Sequence, residues 1–275
     1  MGDLHQRSIP LRRNRQSTIN TGDIVNISII IPVFNEALMI QDTLKDVYKM
    51  MMIYDPSFEI IVAENGSTDQ TPQLVNQLIS EGLSKIRLIQ TPEPNYGFAL
   101  KKGILNAKGR FVICDEIDLC DARFHQEALK QLNTGSVAFV VGSKRALGAQ
   151  DRRPFFRRFA TMILNKTLRI LLGFQGTDTH GPKGFCRESL TTIVNQCVID
   201  RDMFASELVI RVHRSGLTWS EIPLDLSEKR PPSIGLLRRV PHVLKSMIIL
   251  VKAIYIDSPS NSIFESNQTK KSQSQ

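Results

Sequence analysis

The chain has only four cysteines, and none of them is arranged as a metal or redox pair. No Cys-x-x-Cys spacing occurs, and no histidine stands at the distance that zinc motifs require. The four positions are Cys114, Cys120, Cys186 and Cys197. The pattern indicates reduced thiols, and we therefore expect a cytoplasmic protein.

Long hydrophobic runs are also missing. No N-terminal apolar segment of signal-peptide length occurs, and the longest late run, residues 247–251, is far shorter than the roughly 20 residues of a spanning helix. A Gly-x-Gly-x-x-Gly turn is absent after the first predicted strand, which disfavours a dinucleotide-binding Rossmann domain. We expect a chain without a transmembrane anchor.

Acidic residues are scarce between positions 144 and 169, where Asp151 stands alone against eight lysines and arginines. Such a field favours a polyanionic partner, which can be phosphate groups, an anionic membrane surface or nucleic acid; the alternative is a solvated basic helix face. The chain shows no stacking aromatic platform and no recognisable nucleic-acid module. We therefore expect no nucleic-acid partner.

The apolar pattern that is present alternates between strands and helices. Strands are predicted at 26–32, 58–63, 86–90, 110–114 and 137–142, and helices at 37–54, 71–82 and 96–107. This order predicts an α/β fold, with a doubly wound, mostly parallel sheet flanked by helices over residues 26–225. Around it we expect a mobile basic arm (1–25), an amphipathic helical segment (226–256) and a polar tail (257–275).

The segment Leu236–Tyr255 has the period of an amphipathic helix. Its apolar positions, such as Leu244, Met247 and Ile248, are expected on one face, with Lys245 and Lys252 on the other. A basic, apolar helix of this kind lies in the plane of a membrane surface, or it packs on its own domain or in a homo-oligomer. Both alternatives remain open from the sequence.

Three unusual loops follow predicted strands, at 32–36, 64–69 and 115–118. The carboxyl ends of parallel strands meet at one edge of a sheet, so the loops should converge on one cleft. In the third loop, Glu116 and Asp118 alternate along the chain, and in the extended conformation of a strand they would point to the same side. Two carboxylates there suit Mg²⁺ or Mn²⁺ with substrate phosphates; the alternative is a solvated strand-to-loop junction.

Together these segments resemble the nucleotide-sugar half of the family 2 glycosyltransferases, which have the GT-A fold. The matching residues are Pro32, Asn35, Glu36, Gly66, Ser67, Thr68, Asp69, Thr71, Gly97, Gly103, Ala107, Gly109, Glu116, Asp118 and Leu119. The resemblance spans about residues 26–225. It implies an inverting, metal-dependent hexosyltransferase that uses a nucleotide sugar as donor.

Within that family the chain is most similar to dolichyl-phosphate glucosyl- and mannosyltransferases and their polyprenyl-phosphate relatives. The likeness lies in residues 142–145, in a basic helix ending at Asn165, in residues 177–185 and 204–216, and in residues 221–223. It implies a lipid phosphate as acceptor, and with it a peripheral protein at the inner face of the membrane.

The resemblance also assigns roles to individual residues. Glu116 and Asp118 would bind the metal, and the catalytic set would be Asp118, Asp178 and Glu207. The donor-binding residues would be Pro32, Phe34, Glu36, Glu64, Asp69, Lys101 and Asp115. The acceptor-binding residues would be Lys144, Arg145, Arg152, Arg153, Arg157, Arg158, His180 and Lys183. For His180, an ordinary surface histidine is the alternative.

Three positions depart from the family pattern. Glu64-Asn65 replaces a usual Asp-Asp, Glu116 replaces the first Asp of Asp-Ala-Asp, and Ala205 stands where many relatives carry an Asp. In relatives that glycosylate hydroxyls, that last position serves as the general base. A phosphate monoester tolerates its loss, since the second pKa of such a group is about 6. A transferase acting on a sugar hydroxyl and an inactive nucleotide-sugar-binding protein remain as alternatives.

Overall fold

The computed structural model describes residues 25–151, 155–201, 203–226 and 236–256. At positions 150–151, 157, 225–226 and 236–243 it describes the backbone and not the side chains. Apart from Val25, the predicted arm and the predicted polar tail lie outside these residues.

Seven strands form one sheet in the order β3-β2-β1-β4-β7-β5-β8. They are β1 (Ile27–Val33), β2 (Phe58–Asn65), β3 (Ile86–Thr91), β4 (Phe111–Cys114), β5 (Phe139–Ser143), β7 (Lys183–Cys186) and β8 (Trp219–Pro223). Two short strands, β6 (Gln150–Asp151) and β9 (Asp225–Leu226), pair separately. Only β7 runs antiparallel to its neighbours in the seven-stranded sheet. The predicted doubly wound, mostly parallel sheet is confirmed.

Helices cover both faces of the sheet. They are α1 (Ile40–Tyr54), α2 (Thr71–Ser80), α3 (Tyr96–Leu105), α4 (Ala122–Asn133), α5 (Phe155–Leu172), α6 (Arg187–Gln196), α7 (Phe204–Arg214) and α8 (Leu236–Tyr255). The alternating side chains of β1 show the division, because Ile29 and Ile31 pack with α1, α2 and α4, whereas Ile30 packs with α3. Gly103 permits this close approach, since a Cβ there would lie 2.5 Å from Cγ2 of Ile30.

Most predicted elements occur within a few residues of their expected bounds. Helix α1 begins at Ile40 and not at position 37, because the preceding residues are tied to the loop after β2: the Glu36 N–H donates to Thr71 Oγ1 and the Ala37 N–H to Asp69 Oδ2. The basic helix α5 continues beyond Asn165 to Leu172. Strand β7 was not predicted.

Helix α8 has the predicted bounds but not the predicted single apolar face. Met247 and Ile254 are buried against the domain, whereas Leu244 and Ile248 point to solvent. The helix therefore packs on its own domain and still carries apolar side chains outwards. Within the described ranges, no helix combines the length and the apolar character that crossing a membrane requires.

Candidate active site

A cleft of about 260 Å³ opens at the carboxyl ends of β1, β2 and β4. The structure brings the first and third predicted loops together there, with Asn65 from the second. The lining residues are Pro32, Val33, Phe34, Glu36, Asn65, Tyr96, Glu116, Ile117 and Asp118. Three of the predicted donor-binding residues (Pro32, Phe34 and Glu36) and both predicted metal ligands therefore share one cleft.

The first two loops are fastened to each other by hydrogen bonds. Asn35 adopts a left-handed backbone, with φ of 55°. Its N–H donates to Ser67 Oγ over 2.9 Å, and its Oδ1 accepts from the Thr68 N–H over 2.8 Å. Asparagine tolerates this conformation better than most residues. Asn35 thus fixes the loop that presents Phe34 and Glu36 to the cleft.

Glu64 and Asp69 do not line the cleft; they shape its loops. Glu64 is buried and accepts a hydrogen bond from the Ser67 N–H. Asp69 accepts from the N–H groups of Thr71 and Ala37, at 2.9 and 3.1 Å. Partial burial alone would raise the pKa of Asp69. These hydrogen bonds, with one from the Thr71 hydroxyl, instead lower the pKa of Asp69 below its ordinary value. The structure therefore gives both carboxylates a supporting position.

Glu116 and Asp118 reach the cleft from a turn, and the argument from strand alternation is wrong. Strand β4 ends at Cys114, and the N–H groups of Leu119 and Cys120 both donate to the Glu116 carbonyl, which closes a turn. Glu116 is exposed as a residue, and it lines the cleft. Shielding of its carboxyl from water, followed by the charge of Asp118, raises the pKa of Glu116 to about 7, against the opposing charges of Lys183 and Lys144.

The pair fits a divalent ion whose shell is completed by a ligand. Within the described part of the chain, no three His, Cys, Asp or Glu side chains are grouped to hold a metal. The charge of Asp118 is the second cause of the raised pKa of Glu116, after shielding from water, and Lys183 and Lys144 offset only part of this shift. Hard oxygen ligands in this number suit Mg²⁺ or Mn²⁺ when phosphate oxygens and water supply the remainder.

Asp115 lies beneath this turn and not in the cleft. Its Oδ1 accepts from the Glu116 N–H at 2.8 Å, and its Oδ2 lies 2.6 Å from Nε2 of His125 on α4. Both side chains are buried. The sequence reasoning missed His125, because a histidine on the inner face of a helix has the pattern of an ordinary core residue.

Tyr96 and Asn65 are cleft residues that were not predicted. Shielding from water, followed by the charge of Glu116, raises the pKa of the Tyr96 hydroxyl well above its ordinary value. Tyr96 therefore stays protonated and can donate a hydrogen bond. Asn65 Oδ1 accepts from the Asn95 N–H, which joins the end of β2 to the start of α3. The available signal was the place of Asn65 at the end of β2 and of Tyr96 at the start of α3.

A second polar cluster surrounds Asp178. Asp178 is buried, with Oδ2 3.4 Å from Lys144 Nζ and Oδ1 accepting from the His180 N–H. Burial alone would raise its pKa, but Lys144 and this hydrogen bond hold the pKa of Asp178 below its ordinary value. The His180 ring is exposed, and its Nδ1 lies 2.9 Å from Thr179 Oγ1.

Lys183 lies near both this cluster and the turn that carries Glu116 and Asp118. Its Nζ is buried and donates to the Gly181 carbonyl at 2.7 Å. Burial lowers the pKa of Lys183, against the opposing charges of Glu116 and Asp178, which both lie near it. Lys183 therefore lies close both to Glu116, a predicted metal ligand, and to Asp178 in the second cluster.

The other predicted acceptor residues are only partly described. Arg145 donates to the Arg158 carbonyl at 3.0 Å, and Arg158 is exposed on α5. Arg152 and Arg153 lie outside the described residues, as does the side chain of Arg157.

Glu207 and Lys101 do not face the cleft. Glu207 is fully buried, accepts from the Val198 and Ile199 N–H groups, and pairs with Arg211 at 2.8 Å. Lys101 Nζ donates to the Cys197 carbonyl. Both side chains bind the backbone of residues 197–199, which lead into α7. The structure therefore gives them a supporting position, away from the cleft.

Comparison with known proteins identifies the family of the chain. Residues 28–192 match the model of glycosyl transferase family 2. Glycosyltransferase AglD of Haloferax volcanii is 26% identical over 231 residues, which are 82% of this chain and 37% of the relative. Dolichyl-phosphate beta-glucosyltransferase ALG5A of Trichomonas vaginalis is 30% identical over 217 residues, 74% of this chain and 66% of the relative. The chain thus spans about a third of the first relative and about two thirds of the second.

Solved structures show the same fold. Glucosyl-3-phosphoglycerate synthase from Mycobacterium tuberculosis, solved with Mn²⁺, UDP and phosphoglyceric acid, superposes with a TM-score of 0.61 at 18% identity. The match covers 83% of this chain and 78% of that one. At this identity the likeness shows the fold alone, and the predicted GT-A fold is confirmed.

Proposed function

The chain belongs to glycosyl transferase family 2, and from that membership we propose that it is an inverting transferase with a lipid phosphate acceptor. It would move a sugar from a nucleotide diphosphate sugar to a polyprenyl or dolichyl phosphate. The dolichyl-phosphate glucosyltransferase of Trichomonas vaginalis, at 30% identity, supports this acceptor class.

The donor would lie in the cleft at the carboxyl ends of β1, β2 and β4. Pro32 and Phe34 offer apolar surface, while Asn65 and Tyr96 offer hydrogen-bonding groups. Glu116 and Asp118 would hold a divalent ion, which supplies positive charge against the diphosphate leaving group. The hydrogen bonds of Asn35 and Asp69 keep the two loops in place before the donor arrives.

The lowered pKa of Asp178 is the observation that favours a phosphate acceptor. Its pKa is held low by Lys144 and by the His180 N–H, so its carboxylate is a weak base. Ala205, at the position where many members of the family carry an Asp, is buried and offers no carboxylate. A hydroxyl acceptor needs a base, whereas a phosphate monoester is already largely ionised at neutral pH. The site therefore suits a nucleophile that arrives as an anion.

Cationic groups near Asp178 would receive that anion. Lys144 and Lys183 lie around its carboxylate, and Arg158 extends the positive surface along α5. Charge-assisted hydrogen bonds to phosphate are roughly twice as strong as neutral ones. Arg152 and Arg153 belong to the same basic stretch of the sequence and are proposed for the same role. The acceptor phosphate would then attack the sugar from the face opposite the leaving diphosphate.

A direct competition tests this proposal. The purified chain is given a panel of labelled nucleotide diphosphate sugars with Mn²⁺, and three acceptors that share one tube: a short-chain prenyl phosphate, the matching prenol, and a methyl glycoside. We expect label in the prenyl phosphate and none in the prenol. Arg152→Glu with Arg153→Glu should depress this transfer far more than it depresses slow hydrolysis of the donor.

Two other outcomes would overturn the proposal. Preferential labelling of the methyl glycoside would leave a family 2 transferase that acts on a sugar hydroxyl. Binding of a nucleotide sugar without transfer or hydrolysis, for every donor and acceptor, would indicate a protein that binds the donor and has lost catalysis.

A further inference from the structure

Helix α5 is apolar on two opposite faces. Its inner face buries Leu168 and Leu172 against the domain. Its outer face presents Phe155, which is 78% exposed, and Ile170, which is 72% exposed, and between them Phe159, Met162 and Ile163. The spacing of these residues places them on one stripe, opposite the buried seam. A surface helix normally carries polar residues there, so the outer stripe is suited to an apolar partner.

Helix α8 repeats the arrangement. Leu250 and Ala253 are buried against the domain, while Ile248 on the opposite side is 71% exposed. Among the described side chains from position 244 to 256, the other exposed large apolar residues are Leu244, Ile249, Tyr255 and Ile256. One helix with two apolar faces is unusual for a protein surface, and two adjacent helices of this kind form a patch.

The two helices lie side by side and form one surface, which we call the α5–α8 face. The Tyr255 hydroxyl at the end of α8 donates to the Leu171 carbonyl at the end of α5, over 2.8 Å. Leu168 and Leu250 enter the same hydrophobic core. Both helices therefore pack on the same core, with their outer stripes exposed.

The charge of this face has a single sign. The sequences of α5 and α8 contain no aspartate and no glutamate. The described cationic residues that are exposed along the two helices are Arg158, Lys166, Arg169, Lys245 and Lys252. Long basic side chains of this type lie with their stems along an apolar surface and their charges at its edge.

The uniformly positive charge of the α5–α8 face favours one binding partner over another. A second copy of the chain, related by a twofold axis, would bring the same cations face to face, which is unfavourable for association. An anionic bilayer offers the opposite charge together with an apolar interior. Apolar side chains mixed with lysine and arginine are typical of elements that bind in the plane of such a surface.

We infer that the α5–α8 face docks on an anionic lipid bilayer, with the outer stripes of both helices entering the headgroup region. The sequence predicted a polyanionic partner for residues 144–169 and a possible membrane contact for α8, and the structure adds the exposed apolar stripe of α5 beside α8. The inference does not depend on the identity of the acceptor. If the protein is cytoplasmic, the inner leaflet with its anionic lipids is the corresponding surface.

Vesicle sedimentation tests the inference without donor or acceptor. The full chain is mixed with vesicles of phosphatidylcholine alone, or of phosphatidylcholine with phosphatidylglycerol. We expect binding to the anionic vesicles, weakening as salt is added. Ile170→Glu and Ile248→Glu should each reduce binding at least about tenfold, since each removes an exposed apolar side chain that docking would bury in the bilayer. Lys252→Glu should reduce it at least about fivefold.

Matched controls lie on α1, which packs on the other face of the sheet. Ile53 is 88% exposed there, and Lys49 is also exposed. Ile53→Glu and Lys49→Glu should leave binding unchanged, and light scattering should find the same mass for every variant.

Equal loss of binding in the α1 and α5–α8 variants would overturn the inference, as would absence of binding to the anionic vesicles. A dimer that Ile248→Glu dissociates, without vesicle binding, would assign the face to a second copy. Transfer to a soluble prenyl phosphate is measured without vesicles. The vesicle assay therefore reports docking alone, and the transfer assay reports the proposed activity alone, so the failure of one can be told from the failure of the other.

Discussion

Nε2 of His125 lies 2.6 Å from Oδ2 of Asp115, and both side chains are buried. The other oxygen of Asp115 accepts from the N–H of Glu116. The contact therefore runs from α4, through Asp115, to the first residue of the turn that carries both cleft carboxylates. It gives the turn a fixed support inside the protein.

Removing His125 should cost stability, because it leaves a buried carboxylate without its partner. We expect His125→Leu to lower the free energy of unfolding by about 3 kcal/mol. His125→Gln, whose amide can still donate, should lose less. Urea unfolding measures both, and His180→Gln, at an exposed histidine, is the control. Equal stability of His125→Leu and the unaltered protein would show that the contact supports nothing.

The raised pKa of Glu116 predicts a pH dependence in metal-free protein. Its pKa of about 7 in the folded state lies above its value in the unfolded chain, so the folded state holds the proton more tightly. Stability should therefore fall as pH rises from about 4.5 to about 7. Glu116→Gln should remove this component. Thermal unfolding in a chelator, below about pH 5 and above about pH 8, measures the difference between the two proteins.

Adding Mn²⁺ to the same unfolding experiment tests whether Glu116 is a metal ligand. Mn²⁺ should stabilise the unaltered protein at the higher pH and should stabilise Glu116→Gln less, because one ligand atom is lost. Parallel curves for the two proteins in chelator would contradict the position assigned to the Glu116 carboxyl.

Lys144 should matter for the acceptor and not for the donor. Its ammonium lies 3.4 Å from Asp178 and offsets that negative charge. Without it, the Asp178 carboxylate would repel an incoming phosphate. We expect Lys144→Met to raise KM for a prenyl phosphate at least about tenfold, a loss comparable to one charge-assisted hydrogen bond. Lys144→Arg should recover most of it. Donor affinity, measured by calorimetry, should remain unchanged; a parallel loss of donor affinity would place Lys144 elsewhere.

The parallel half of the sheet was predictable because its signals are local. Buried strands such as Ile27–Val33 are continuous apolar runs, and loops of unusual composition follow them. Strand β7 was missed, because four residues that include a glycine carry no alternation. Its antiparallel place between β4 and β5 is set by long-range pairing.

The site was predictable at the level of loops and less so at the level of side chains. Glu64 and Asp69 stand in the expected loops, but backbone N–H groups turn their carboxylates away from the cleft. The Asp115–His125 contact depends on how α4 packs under β4, and the sequence does not state that packing. Helix α8 illustrates the same limit, since its period gives the helix but not which apolar residues face the domain.

The anomeric linkage of the product tests the central claim most directly. A nucleotide diphosphate sugar of known configuration is incubated with the chain, Mn²⁺ and a short-chain prenyl phosphate, and the product is examined by proton and phosphorus magnetic resonance. The account predicts a glycosyl phosphodiester whose anomeric carbon is inverted relative to the donor, formed by the unaltered chain and not by folded Asp118→Asn. A sugar joined to a hydroxyl, a retained configuration, or full turnover by Asp118→Asn would contradict it.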